Sequence, residues 1–274
     1  METRWIDTGR AALRCRMDGD KGPLLVLVHE MGGVIESWDG VVPPLSARCR
    51  ILRFDTRGAG LSEKITGDIA IEDMADDIAA LLDALAIEEP VYIAGCAVGA
   101  GIALSFAARH PGRTLGAIVM NPAIDVTAAN RPGLLARAEK VQSGGTRAIV
   151  EESLALGYPQ VFRDRDPAHF ALFRARWLSN DPTSLSRLFL MLSRTDLTDA
   201  LARIRCPVLG ISGTLDPLRP VDYVKGVLSR IADTELAIIE AGHHMPDQAP
   251  HLVAFEIGAF LERRGAYGLP EERE

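Results

Sequence analysis

A chain of 274 residues, 47% hydrophobic and 24% charged, carries enough apolar material for one generous globular unit. Its formal net charge of −7 and pI near 5.5 argue against a polyanionic partner, because nucleic-acid binding draws its affinity from clustered lysine and arginine. Cys15, Cys49, Cys96 and Cys206 are scattered, with no C-x-x-C pair and no histidine at metal-ligand spacing, which argues against a disulfide framework or a zinc site and fits a reducing cytoplasm.

In chain order, METRWIDTGR carries charges of both signs and no apolar run, unlike a secretory leader. Residues 4–7 and 12–17 read as an antiparallel entry hairpin, followed by strands at 24–29 and 50–54. Residues 69–85 have apolar side chains at helical spacing, with Asp73, Asp76 and Asp77 turned to water. The stretch 91–108 runs eighteen residues without a charge, near the lower limit for a membrane span. Gly95, Gly99 and Gly101 instead divide it into a strand at 91–94, a turn and a helix, so no membrane partner is expected. Another strand follows at 115–121.

From 123 to 203 the β signal gives way to short helical patterns broken at Pro132, Gly144, Pro159, Pro167 and Pro182. Asp166-Pro167 and Asp181-Pro182 each place a capping acid before a proline at the first helical position. Strands at 208–212 and 235–239 restore the earlier rhythm, which continues to Leu261 before a polar tail expected to fray. The whole predicts an α/β fold, a mostly parallel central sheet with helices on both faces, divided into core (1–122), inserted helical lid (123–203) and core again (204–274).

The chemistry concentrates in VYIAGCAVGAGIALSFAARHP, where a strand ends at Gly95, the chain turns through Cys96-Ala97-Val98, and a helix begins near Gly99. A strained turn of this kind crowds its neighbours and needs small residues two before and two after its centre, which Gly95 and Gly99 supply around Ala97. Centring it on Cys96 would put Val98, a β-branched residue, at a small position, so Cys96 reads as packing in preference to nucleophile.

With these segments the chain resembles the α/β-hydrolase superfamily, and 3-oxoadipate enol-lactonase-like members in particular, over most of its length. LLVLVHEMGG resembles the strand and oxyanion loop usually written H-G-x-G-G, and RFDTRGAGLSEK the D-x-R-G-x-G-x-S segment after the next strand. GCAVGAG occupies the nucleophile elbow, ISGTLDPLRP the acid loop and EAGHHMPDQAP the histidine loop, in the family's order. The resemblance implies Asp216 as acid, His243 as base, and the backbone N–H groups of Met31 and Val98 as oxyanion donors. His244 is an alternative base, less well matched in its spacing to Pro250. Such a set orients an imidazole with a carboxylate and holds developing negative charge on fixed dipoles.

Two departures stand out. Ala97 occupies the serine position, so the acyl-enzyme route is closed to the chain as written. Glu30 replaces the usual glycine of the oxyanion loop and reads either as a buried structural acid or as a second acid/base. The alanine is explained either by a laboratory serine-to-alanine substitution or by natural divergence, for which the similar aminoacrylate hydrolase family offers a precedent. In the second case water attacks directly, which suits only activated substrates.

The expectation is therefore a cofactor-independent and metal-independent hydrolase of a small, acidic metabolite with a lactone, enamine, carbamate or ester bond. The alternatives are a proton-transfer, decarboxylation or oxygenation enzyme built on the same His–Asp pair, and a ligand sensor without turnover. Glu30, Cys96 and His244 are the candidate substrate contacts. Arg163, Arg165, Arg174, Arg176, Arg187 and Arg194 in the lid offer either a carboxylate clamp or a solvated helix face. Trp38 and Trp177 read as packing, and Asp55 and Arg57 as braces behind the oxyanion loop. A homo-oligomer is left open.

Overall fold

The computed structural model describes residues 2–267. Eight strands, β1 (Thr3–Asp7), β2 (Ala12–Asp18), β3 (Leu24–Val28), β4 (Arg50–Phe54), β5 (Val91–Cys96), β6 (Thr114–Met120), β7 (Val208–Gly213) and β8 (Thr234–Ile239), form one sheet in the order β1-β2-β4-β3-β5-β6-β7-β8. The β1–β2 and β2–β4 pairs are antiparallel and every other pair is parallel. The expected entry hairpin and all six later strands are present, displaced at their ends by a residue or two. The last segment of the expected tail, 268–274, lies outside the described residues.

Strand side chains alternate between two apolar layers. Leu24, Val26 and Val28 join one with Ile93, while Leu25 and Leu27 join the other with Tyr92 and Ala94. The first layer is covered by helices α2 (Ile71–Ala84) and α3 (Val98–Arg109), the second by α1 (Val42–Leu45) and α12 (Pro250–Arg263). This two-sided burial is why the central strands read as continuous apolar runs.

Between β6 and β7 lie α4 (Arg131–Gly144), α5 (Val150–Gly157), α6 (Gln160–Arg165), α7 (Pro167–Leu178), α8 (Pro182–Arg194) and α9 (Thr198–Leu201). These helices carry their own apolar cluster, including Val141, Leu154, Phe162, Phe173, Trp177 and Phe189. The two expected caps are formed: the Asp166 carboxylate accepts from the His169 N–H at 2.9 Å and that of Asp181 from the Ser184 N–H at 2.7 Å. Pro132, expected as a break, lies in the first turn of α4, where its missing N–H costs no internal bond. The chain then returns through β7, α10 (Val221–Leu228), β8, α11 (Met245–Gln248) and α12. No helix among the described residues is long and apolar enough to cross a membrane.

The topology also dictates where a site can form. After β3 the chain steps to β4 on one side, and from β5 onward it steps to the other, so the carboxyl ends of β3 and β5 meet where the winding reverses. Open α/β sheets bind ligands in the crevice at that reversal.

Candidate active site

At the end of β5, Ala97 has φ 52° and ψ −112°, a conformation that costs of order 1–3 kcal/mol for a residue with a side chain. The sharp turn is possible because its flanking positions lack Cβ atoms. One added to Gly95 would lie 2.2 Å from the Gly99 carbonyl oxygen, and one on Gly99 would lie 2.3 Å from that of Val28. The Ala97 N–H donates to the Met120 carbonyl, and its carbonyl accepts from Ala123, fixing the elbow across two strands. The Val98 N–H opens the first turn of α3, where a helix has no internal acceptor to offer.

The oxyanion loop is fixed from behind. His29 donates from Nδ1 to the Glu30 carbonyl at 2.7 Å, and its Nε2 accepts from the Thr56 N–H at 3.0 Å, so the ring braces the loop. Asp55 accepts from the Ile35 and Leu61 N–H groups at 2.8 Å each, as the brace reading expects. Arg57 does not join it. Its guanidinium turns to Asp77 on α2, a correction that follows from the buried carboxylate waiting there.

His243 and Asp216 meet as expected, Nδ1 to Oδ2 at 2.7 Å. The other Asp216 oxygen accepts from the Leu218 and Arg219 N–H groups at 2.8 and 3.2 Å. Burial pushes this carboxyl up, but the His243 ring and the two backbone donors outweigh it and hold the group below its usual value. The His243 backbone is tied to the helical insertion, its N–H donating to the Gly157 carbonyl at 3.1 Å. Gln248 bridges that same carbonyl, at 2.9 Å, to the Gly242 N–H at 2.7 Å.

Ala97, Val98, Met31, His243, Glu30 and His244 all line one cavity of about 510 Å³ under the insertion. Cys96 does not, which corrects its place among the substrate contacts. It packs in the same apolar layer as Ala94 and Ala97, where its thiol is fully buried and donates to the His243 carbonyl at 3.3 Å. Burial, then the nearby Glu30 and Asp216 carboxylates, push that thiol well up and keep it protonated.

Glu30 is only 2% exposed, and its side chain folds over Gly33, where a Cβ would lie within 2.9 Å of all three carboxyl atoms. Oε1 accepts from Ser37 Oγ at 3.3 Å and faces His244 Nδ1 at 3.6 Å. Burial pushes the carboxyl up, and the neighbouring His244, aided by His29, overturns that and lowers it to about 2. His244 is itself caged, its ring edge-on to Phe173 at 4.9 Å and stacked on Tyr158 at 6.4 Å.

None of the six lid arginines, read as either a carboxylate clamp or a solvated helix face, lines the cavity. Arg165 pairs with Glu240, Arg174 with Glu151, Arg176 with Asp247, and Arg187 and Arg194 both with Asp68. Arg163 donates to the Leu154 and Tyr158 carbonyls. The cavity arginines are Arg137, already paired with Glu152 at 3.0 Å, and Arg219, which lies over the Tyr223 ring. Arg219 stands in the acid loop, three residues after Asp216, and its nearness to that residue was the signal available in the sequence. Asn121, whose side chain links the Gly213 N–H to the Gly242 carbonyl, gave no such signal. Trp38 is core packing as expected, whereas Trp177 both packs, against Gly32, and lines the cavity.

Comparison with known proteins agrees with this architecture. The chain is 24% identical over 241 residues to 3-oxoadipate enol-lactonase 2 of Acinetobacter baylyi, covering 88% of this chain and 89% of that one. It is 29% identical over 245 residues to a RutD protein of Azorhizobium caulinodans, named for carbamate hydrolysis, covering 86% and 89%. Among solved structures, the enol-lactonase from Burkholderia xenovorans LB400 superposes with a TM-score of 0.90 at 25% identity, covering 94% of this chain and all of that one. A thermophilic esterase from Thermogutta terrifontis, solved with malate bound, gives 0.88 at 26%, covering 96% and 99%. The Hydrolase_4 model, described as serine aminopeptidase, S33, matches residues 19–246, and with the elbow, acid and histidine loops in family order the chain belongs to that family of α/β-fold hydrolases.

Proposed function

We propose that this protein is a cofactor-independent hydrolase that adds water directly to an activated carbonyl, or to the C=N carbon of an enamine's imine tautomer, in a small, acidic metabolite, with a lactone, carbamate, enamine or ester bond as the target. His243 takes the proton from water, Asp216 orients and stabilises the resulting imidazolium, and the Met31 and Val98 N–H groups hold the developing oxyanion; as that intermediate collapses the bond to the leaving oxygen or nitrogen breaks and His243 returns the proton to it. The observation that carries the reading is the 2.7 Å His243–Asp216 bond beside a cavity whose elbow presents a methyl group instead of a hydroxyl. Water is the nucleophile that such a site leaves available. Arg219, in the cavity with no carboxylate in ion-pair contact among the described residues, supports an acidic substrate. The helices spanning 123–203 act as a lid, supplying Leu134, Trp177 and Phe189 to the cavity roof. Four buried free cysteines favour the cytoplasm as its place of work.

The test compares initial rates of the protein and its His243→Ala variant across activated lactones, carbamates and enamines. A loss of about 10²–10⁴-fold is expected for every substrate that the parent turns over. Superimposable progress curves would sink the proposal.

A further inference from the structure

Glu30 and His244 form a second carboxylate–histidine pair on the same cavity, and its bonding differs from that of the first. The Asp216 oxygens are both engaged, whereas Glu30 Oε2 and His244 Nδ1 are buried with no hydrogen-bond partner among the described residues. Buried polar atoms are satisfied in the great majority of cases, and an unsatisfied carboxylate oxygen is among the costliest exceptions. The cost has not been avoided by closing the pair. Phe173 and Tyr158 hold the His244 ring in a fixed attitude, the Gly33 backbone leaves room for the carboxylate, and the two groups stop 3.6 Å apart.

Charge decides what this pair can bind. The Glu30 carboxyl is held below its ordinary value, so in neutral solution it is ionised and accepts hydrogen bonds without donating any. It therefore attracts N–H groups and repels ring or ester oxygens. It also belongs to the residue preceding Met31, and both residues line the one cavity, which puts the subsite beside the place of a carbonyl held by the Met31 N–H.

We infer that Glu30, backed by His244, is a specificity subsite for an N–H group next to the reacting carbonyl, so that the pocket takes amide-like acyl compounds, such as carbamates, ureides and lactams, in preference to lactones and esters. This rests on the cavity being the substrate site, as the proposed function has it. It narrows that proposal to one of its substrate classes. A site that hydrogen-bonds an N–H discriminates strongly against the analogue lacking it, because its own polar group is then left unpaired. Glu30 acts on binding and orientation, and the proton removed from water still goes to His243.

The experiment uses the full chain and three ring compounds of nearly one size: 2-pyrrolidinone, its N-methyl derivative and γ-butyrolactone. Binding is measured by ligand-observed NMR. A hydrogen bond to a charged acceptor predicts that 2-pyrrolidinone binds at least about tenfold more tightly than either of the others. In Glu30→Gln, whose amide both donates and accepts, the three affinities should fall within about threefold of one another. Equal or tighter binding of the N-methyl compound or the lactone overturns the subsite, as does failure of 2-pyrrolidinone to bind, or a preference that survives in Glu30→Gln. The unmodified chain alone supplies the first comparison, so a variant that fails to fold does not rescue the idea. The two readings fail separately. Hydrolysis that depends on His243 without N–H preference sinks only the subsite, whereas N–H preference in a chain whose hydrolysis ignores His243 sinks the proposed mechanism.

Discussion

His243 and His244 are neighbours in sequence, face one cavity, and are each opposed by a carboxylate, yet they are held in opposite ways. The first is fixed by hydrogen bonding: a 2.7 Å contact to an aspartate whose remaining oxygen is itself capped by two backbone donors. The second is fixed by packing between two aromatic rings, with its glutamate left short of hydrogen-bond distance. A saturated pair has one orientation and a ring committed to proton transfer, while an unsaturated pair keeps bonding capacity for something else. The residue types alone would make the two look equivalent.

The sharpest way to separate them is to give the elbow a hydroxyl. Ala97→Ser should place a serine on a turn already in the required geometry, and a fluorophosphonate should then label residue 97 stoichiometrically where the parent takes up none. Intact-mass measurement checks this. Labelling should vanish with His243→Ala and persist with His244→Phe, and the reverse pattern would exchange the roles assigned to the two rings.

Stability probes the second pair. His244→Phe keeps the aromatic cage filled but leaves the ionised Glu30 buried without the polar ring that faces it, for which about 3 kcal/mol of destabilisation is expected in denaturant titration. Adding Glu30→Gln should recover most of the loss, because the uncompensated charge is its cause. If the double variant is as unstable as the sum of its singles, the two groups do not interact and the pairing is incidental.

The smallest effect concerns a third carboxylate, in α11 just after His244. Asp247 meets Arg176 at 2.6 Å and His169 at 3.1 Å, and the bond to Asp247, opposed by partial burial, raises the His169 pKa. A raised folded-state value means that the contribution is fully present below the unfolded histidine value of about 6.5 and is lost as pH rises through the folded one. His169→Gln should therefore lower Tm more at about pH 5.5 than at about pH 8.5. Solvent screening of the part-exposed ring limits the difference to less than about 1 kcal/mol. A variant equally destabilised at both values would show that charge has no part in the contact.

Much of this arrangement was legible in the residues. The apolar runs became β3, β5, β6 and β7 because strands buried on both faces need no polar alternation. The Asp-Pro pairs opened α7 and α8 because capping is a local bond within one turn. The glycines flanking Ala97 located the elbow, since only the lack of a Cβ lets the chain pass so close to Val28. What could not be read was direction. Cys96 lies one residue from the centre of the elbow and does not line the cavity, and five of the six lid arginines turned to acids outside it and the sixth, Arg163, to backbone carbonyls, while Arg219, unremarked, faced in.

The sequence by itself determined the order of strands and helices, the place of the turn and the absence of a hydroxyl there, because each of these is settled by spacing along a few residues. Only the tertiary structure decided that Glu30 meets His244, that Gly157 of the insertion holds the histidine loop, and which arginine the cavity receives. Those contacts join segments far apart in the chain. Their distances are set by how whole helices and loops pack against one another, a property that no local pattern encodes.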